Sequence, residues 1–504
     1  MYSARTKPEA ARRSEPLSAA ASESVGPGEQ IVWLLFIAAH APLGLLMKSE
    51  SIAVFVQGAI VFGAGLWWSF NPRRTERVAY AGAYIVGSEV LWRMLTDALP
   101  WESGKYALIV IFSSALLNRH GIRAMVGAAL CFGLLVPSAF LTMQLNDPAL
   151  VRNMLSFNLS GPLALVVCAN FFSTLELSPA TTLRLFMALA APVVAIGAIV
   201  VSNIMSIEKI HFTFESNFAT SGGFGPNQVS LALGLGALAS LWCVLERDVR
   251  WPLKLSLFFV MLWLGTQSAL TFSRGGLLGA LISGAIALAF LATHAESRKK
   301  LIIVVPIVFL FSSYVIWPAL VNFTGGALAT RFSETGLTHR DELGKEDLEL
   351  WYDNPLLGVG PGLSPRHHLN GVAAHTEFTR LLAEHGVFGA FSIMLLLGAG
   401  ARNVFRAASA REKGLVASAL VWSVLFMLNS AMRTVAPCFM YGLSFNVFKP
   451  GATADASEPE IVAPQLPTRR HFGRPELAAQ AAGGGASSLR TRQYRARPTP
   501  SVNG

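Results

Sequence analysis

The stretch LFMALAAPVVAIGAIVVSNIM, residues 185–205, contains no charged side chain. About 20 consecutive apolar residues cross the ~30 Å hydrocarbon core of a bilayer as a helix, and this run is long enough to do so. Apolar segments of the same kind flank it on both sides, at about 31–47, 51–70, 78–99, 105–118, 124–144 and 160–175, then at 227–245, 255–272, 277–293, 301–320, 377–400, 415–430 and 435–448. The composition agrees. Of 504 residues 53% are hydrophobic and 14% charged, against about 25% charged in soluble domains, and the mean hydropathy is +0.48. Lipid offers the backbone no hydrogen-bonding partner, so each crossing must be helical. The fold class expected is all-α: a polytopic integral membrane helix bundle of about 12–14 transmembrane helices with one large periplasmic loop.

The connections alternate in charge. NPRRTER (71–77), NRHGIR (118–123), ERDVRWPLK (246–254), HAESRKK (294–300) and RNVFRAASAREKG (402–414), with Arg184, hold sixteen Lys or Arg. Such loops stay on the cytoplasmic side. The loops at 48–50, 100–104, 145–159, 206–226, 273–276 and 321–376 then face the other way. This predicts a multi-pass membrane protein with both termini cytoplasmic and its working face on the opposite, periplasmic side. Residues 1–29 lack an apolar core for a cleavable signal and read as a disordered cytoplasmic tail. Residues 30–448 form the membrane domain. Residues 449–504, with seven arginines and a Gly-rich run, read as a second disordered, basic cytoplasmic tail. The net charge of +10 therefore reports membrane orientation rather than nucleic-acid binding. Cys131, Cys168, Cys243 and Cys438 all fall within apolar runs and read as small buried hydrophobes.

Loop 321–376 exceeds every other connection. Loops beyond about 15 residues without structure of their own are unusual unless functional or disordered. Here DELGKEDLELWYDNP (341–355) reads as a short helix with Leu343, Leu348, Leu350 and Trp351 on its apolar side, closed by Pro355. GVGPG (358–362) supplies a glycine-rich turn. Such a helix would lie in the membrane interface, covering or lining a cavity.

Ionisable residues on this side of the membrane form a short set. Arg274 sits in the tight hairpin TFSRGG; Arg331 and Arg340 lie in the long loop; His375 and Arg380 stand where the helix of HTEFTRLLAEHG begins; Arg433 lies between the last two segments. Ionisable groups at membrane depth are functional candidates. Arginine's planar fork suits phosphate oxygens, and histidine accepts a proton near neutrality. Together they suggest a lipid pyrophosphate and an incoming alcohol. For Arg331, Arg366 and Arg433 the alternative of snorkelling or helix capping stands beside this reading. Glu89 and Arg93, four apart, read as a structural pair. Glu384 and His385 read as buried groups with local partners. His211, in an aromatic and Gly-rich loop, reads equally as a sugar-stacking site and as plain surface. No phosphate loop of the GxxxxGK[ST] type, HExxH or Cys/His metal cluster occurs, so neither a metal nor another cofactor is expected.

Four pieces in order resemble the O-antigen ligase and O-antigen polymerase superfamily of bacterial membrane glycosyltransferases: FGPNQVSLAL (224–233), TQSALTFSRGGLLGALISG (266–284), THRDELGKEDLELWYDNPLLGVGPG (338–362) and AHTEFTRLLAEHGVFG (374–389). They span about 220–430; the N-terminal half is similar only in hydropathy. The resemblance implies metal-independent transfer of a glycan from an undecaprenyl-pyrophosphate carrier to an acceptor hydroxyl at the periplasmic face. Its functional histidine falls on His375, and its pyrophosphate arginines on Arg274 and on Arg331 or Arg340. Arg380, Arg433 and His211 are further substrate-binding candidates. Thr376 stands where the family usually has Asn, and Thr379 where leucine is frequent. The partners implied are the lipid-linked glycan, membrane lipids, and an acceptor glycan or lipid A core, with chain-length or export proteins beyond them. The balance leans to polymerisation of O-antigen or exopolysaccharide repeats. Alternatives are a ligase acting on lipid A core or a protein, and, from another class, a lipid-linked sugar flippase. Internal repeats and midplane charges would mark the last.

Overall fold

The computed structural model describes residues 25–448, apart from Phe214, Asp248, residues 335–339 and Asn370. The expected tails lie outside the described residues, except 25–29, where the first helix already starts.

Helices α1 (Pro27–Ser49) and α2 (Ile52–Ser69) form a hairpin, followed by α3 (Thr75–Leu95) and α4 (Ser103–His120). The segment expected as one crossing over 124–144 is broken. A 3-10 turn at Ile122–Met125 runs into α5 (Val126–Gly133), which meets α6 (Val136–Met143) at 56°. Pro137 in the first turn of α6 cannot supply the amide that would continue α5 into it.

Next come α7 (Pro148–Ser173), α8 (Pro179–Met205), α9 (Pro226–Leu245), α10 (Trp251–Leu270) and α11 (Arg274–Ala292). α12 (Ala295–Phe311) passes through a π turn at Ser312–Ile316 into α13 (Trp317–Phe323). α14 (Ala327–Ser333) and α15 (Arg340–Asp353) occupy the long loop, and α16 (Glu377–Arg406), α17 (Ala410–Ser430) and α18 (Ala436–Leu443) complete the bundle. Among the described residues the only strands are β1 (Glu176–Leu177) and β2 (Val447–Phe448), paired in parallel.

The protein is an all-α, multi-pass bundle. Among the described residues ten helices are long and apolar enough to cross a membrane, eleven if the bent pair counts as one crossing. Two further expected crossings, α3 and α4, have 21 and 18 residues but carry charge; Glu89 and Arg93 within α3 form the expected pair at 2.7 Å. The last expected crossing shrinks to α18, only 8 residues long. The supposed loop at 145–159 is mostly the first turns of α7. It is started by Asp147, whose carboxylate accepts from Ala149 N at 2.9 Å, the usual service of an N-cap.

The two sets of loops separate to opposite ends of the bundle, as their charge alternation predicts. At the basic end Arg184 grips Glu29 at 2.6 Å, Thr181 donates to Glu76 and Arg411 pairs with Glu246. At the other end Arg93 reaches Gln228 at 3.0 Å, Val435 N donates to Glu89 at 2.7 Å, and Asn217 N donates to Thr271 O at 3.0 Å.

Helices α9 and α11 touch backbone to backbone. A Cβ on Gly276 would lie 1.9 Å from Ser230 O, and one on Gly234 would lie 2.2 Å from Gly276 O. Small residues permit such approach where no hydrophobic force drives helices together in lipid. Gly276→Ala is expected to cost about 1–3 kcal/mol of overpacking, seen as a lowered Tm in detergent. Gly63→Ala, with open space around it, should leave Tm unchanged; equal Tm for both variants would refute the close contact.

Candidate functional site

The loop end of the bundle gathers five of the residues singled out by sequence. Its foundation is the α10–α11 hairpin. Phe272 adopts φ 59, an uncommon left-handed conformation for an aromatic residue, and so turns the chain within three residues. The turn is tied down twice: Ser273 Oγ donates to Asn227 Oδ1 at 2.7 Å, and Ser230 Oγ donates to Ser273 O at 2.8 Å. Asn227 is the asparagine of the FGPNQ element, so that motif builds the hairpin that presents Arg274. Arg274 is the first residue of α11, half-buried, with its guanidinium donating to Glu334 O. Arg331 is buried on α14, its Nε donating to Phe272 O at 3.1 Å.

Arg340 opens α15. Its guanidinium donates to Asn429 Oδ1 at 2.8 Å, and Asn429 Nδ2 donates to Leu425 O at 2.7 Å, which fixes the amide's orientation. Burial first, and then the charges of Arg274, Arg433 and Arg331, press the Arg340 guanidinium below its ordinary value, although arginine stays charged at any neutral pH. Four cations from separate elements thus converge. Arg274 and Arg340 are also the first residues of α11 and α15, whose N-terminal amides add positive potential.

His375 sits beside this cluster. Its backbone carbonyl accepts from Ala431 N at 3.0 Å, and Ala431 is the second non-glycine residue with positive φ, at 49. That link sets the 431–435 turn against the histidine and brings Arg433 with it. Burial, followed by the charges of Arg433 and Arg340, lowers the His375 pKa to about 4, so the imidazole is neutral at pH 7. Its ring nitrogens make no hydrogen bond among the described residues, nor does the Arg433 guanidinium. A neutral base and a cluster of fixed cations are the two groups needed to take a proton from a hydroxyl and to hold a developing anion.

The remaining candidates stand differently. Arg380 is a strut: its five N–H groups meet Glu377, Glu384 and Asn158, leaving no donor for a ligand. His211 is exposed in the 206–225 loop, with its carbonyl accepting from Asn217 Nδ2 at 3.1 Å. Glu384 has the local partner expected, Arg380 four residues earlier at 2.9 Å, while buried His385 bonds Ser138, 247 positions away on α6. Arg366 is exposed on a 3-10 turn.

The helix expected over 341–355 forms as α15, and of the apolar side assigned to it Leu343, Leu350 and Trp351 are half-buried. Leu348 is exposed and Asp347 fully buried. Asp347 accepts from Thr379 Oγ1 at 2.6 Å and bonds His368 Nε2 at 2.9 Å, while His368 Nδ1–H donates to Val372 O at 2.7 Å. This clamp ties α15, and so Arg340, to α16, which starts just after His375. Burial raises the Asp347 carboxyl, with Thr379 and His368 opposing that rise. Thr379 is thus one leg of the clamp. Thr376 N-caps α16 by accepting from Thr379 N at 3.3 Å, a service Asn performs equally well.

The glycine turn also has a definite job. α16 breaks at Gly386, φ 57 and ψ −133, where a Cβ would lie 2.6 Å from Leu356 O. Val359 N and Gly360 N donate to Ala383 O and Glu384 O at 2.9 and 3.0 Å, taking up carbonyls that the break releases.

Asn429, Asp347, His368 and Glu377 are the supporting residues that sequence reasoning passed over. Glu377 Oε2 accepts from Met432 N at 3.0 Å, fixing the turn that bears Arg433. Set against models of known protein families and against curated proteins, the chain matches none.

Proposed function

We propose that the protein is a membrane glycosyltransferase that moves a glycan from undecaprenyl pyrophosphate to an acceptor hydroxyl. The observation that carries this reading is the gathering of Arg274, Arg331 and Arg433 around Arg340, beside a histidine whose imidazole is kept neutral by burial and by the charges of Arg433 and Arg340. The acceptor oxygen attacks the anomeric carbon as His375 takes its proton, and a new glycosidic C–O bond forms. The bond from that carbon to the pyrophosphate oxygen breaks, and its electron pair leaves with the carrier. Direct displacement inverts the anomeric configuration. The arginines stabilise the charge growing on the pyrophosphate, which is the dominant demand of the reaction. The cations lie at one end of the bundle, where a transporter of lipid-linked sugars would place such groups near the midplane.

The test supplies full-length protein in nanodiscs with undecaprenyl-pyrophosphate repeat units and follows glycan length. A growing ladder is expected, making the protein a polymerase. Transfer only after addition of lipid A core or a protein acceptor would make it a ligase. No transfer under either condition would refute the proposal.

A further inference from the structure

A cavity of about 570 Å³ is lined by Ala374, the residue before His375, and by Ala431 and Arg433. Its walls come from the N-terminal half of the chain as much as from the long loop. Such a volume is in the usual range for a small-molecule site.

Three aromatic rings line it, each partly exposed and each held in place. Trp101 has Arg93 over its ring at 4.5 Å, and Phe157 has Lys105 near its ring at 5.5 Å. Tyr106 bonds Ser156 through its hydroxyl. Between them stands Glu102, 6% exposed, whose Oε1 accepts no hydrogen bond. Lys105 Nζ is 3.7 Å from that oxygen, outside hydrogen-bond reach, and donates instead to Ser160 Oγ at 3.3 Å. The other two carboxylates at the cavity, Glu377 and Glu384, are taken up by Arg380, Met432 N and Ser364.

A buried carboxylate oxygen without a donor calls for a ligand hydroxyl or N–H. An acyl chain would leave it unpaired. Ring faces suit the C–H faces of a pyranose, which carry the partial positive charge that an aromatic quadrupole attracts. We infer that this cavity seats the acceptor saccharide, an uncharged or amino-bearing sugar whose hydroxyl edge meets Glu102 and whose nucleophilic hydroxyl points past Arg433 to His375. The inference rests on the transferase reading above and deepens it, because it names the class of acceptor that the site takes.

The experiment titrates the full-length protein with lipid-free repeat oligosaccharide, released by mild acid from the polyprenyl-linked pool of the cells that make the protein. Binding is read by saturation-transfer NMR. Trp101→Ala and the near-isosteric Glu102→Gln are each expected to weaken binding at least tenfold, and to raise the acceptor KM with the donor KM unchanged. Arg340→Gln should leave this binding intact. No binding by the parent protein, or unchanged binding in both variants, would overturn the assignment. Transfer that proceeds with an unchanged acceptor KM in both variants overturns the cavity and spares the transferase reading. Binding that depends on both residues, in a protein that transfers nothing, overturns the transferase reading and the acceptor role with it.

Discussion

His375→Ala should reduce glycan transfer by about 10²- to 10⁴-fold, the usual contribution of a positioned general base, without loss of insertion or thermal stability. The fold should survive because the side chain makes no hydrogen bond among the described residues. Its structural contribution is the backbone carbonyl that accepts from Ala431 N, and alanine keeps that carbonyl. Thr376 still caps α16. The pH profile of the parent protein gives a second handle. Burial and the Arg433 and Arg340 charges hold the folded-state pKa near 4, below its ordinary value, so the ring is already neutral throughout the neutral range. Activity per encounter, kcat/KM, should stay level through neutral pH and fall only as the pH drops toward 4. Bound pyrophosphate adds negative charge beside the ring and favours its protonated form. The acid limb of kcat should therefore lie at higher pH than that of kcat/KM. Wild-type ladder growth in His375→Ala would remove the base from the mechanism, and a kcat/KM limb at 6.5 would contradict the electrostatic environment described.

The architecture was readable wherever a property is carried by one stretch of chain. Residues 185–205 identify a membrane helix by length and apolarity alone, and α8 covers them. The basic loops sort to one end because each loop carries its own charge. The motif arginines and His375 could be selected because each is an ionisable group next to an apolar run. What escaped is set by partners distant in sequence. Asp347 looks like a solvent-facing carboxylate of an amphipathic helix until His368 and Thr379, 21 and 32 positions away, close around it. Asn429 reads as a stray amide ending an apolar helix until Arg340, 89 positions earlier, arrives on it. Residues 148–158 look like a loop because Arg152, Asn153, Ser156 and Asn158 interrupt the apolar pattern. Asn153, Ser156 and Asn158 line a cavity at this end of α7. Gly386 is similarly silent, since a helix break is visible only with the turn that fills it.

The arginine cluster makes the other large prediction, in which stability and activity move in opposite directions. Four guanidiniums gathered in a partly dehydrated pit repel one another. A unit-charge pair at an effective dielectric of ~20 interacts by about 4 kcal/mol at 4 Å, and less in inverse proportion to distance. Glu334, 3.6 Å from Arg331, offsets part of this repulsion, and a bound pyrophosphate, as proposed, would relieve the rest. Arg340→Gln removes one member of the cluster while keeping an N–H for Asn429 Oδ1. The ligand-free variant should be at least as stable as the parent, with equal or higher Tm in detergent. Its transfer rate should nevertheless fall by about 10²- to 10³-fold, as when a donor to a developing anion is deleted. Undecaprenyl pyrophosphate should raise the Tm of the parent, since a ligand that binds only the folded state stabilises it by mass action, and should raise that of the variant far less. The neutral acceptor analogue should not distinguish the two proteins. A variant that loses stability when empty, or keeps its transfer rate, would show that Arg340 supports the fold rather than the anion. Its bond to Asn429 would then be the whole of its role.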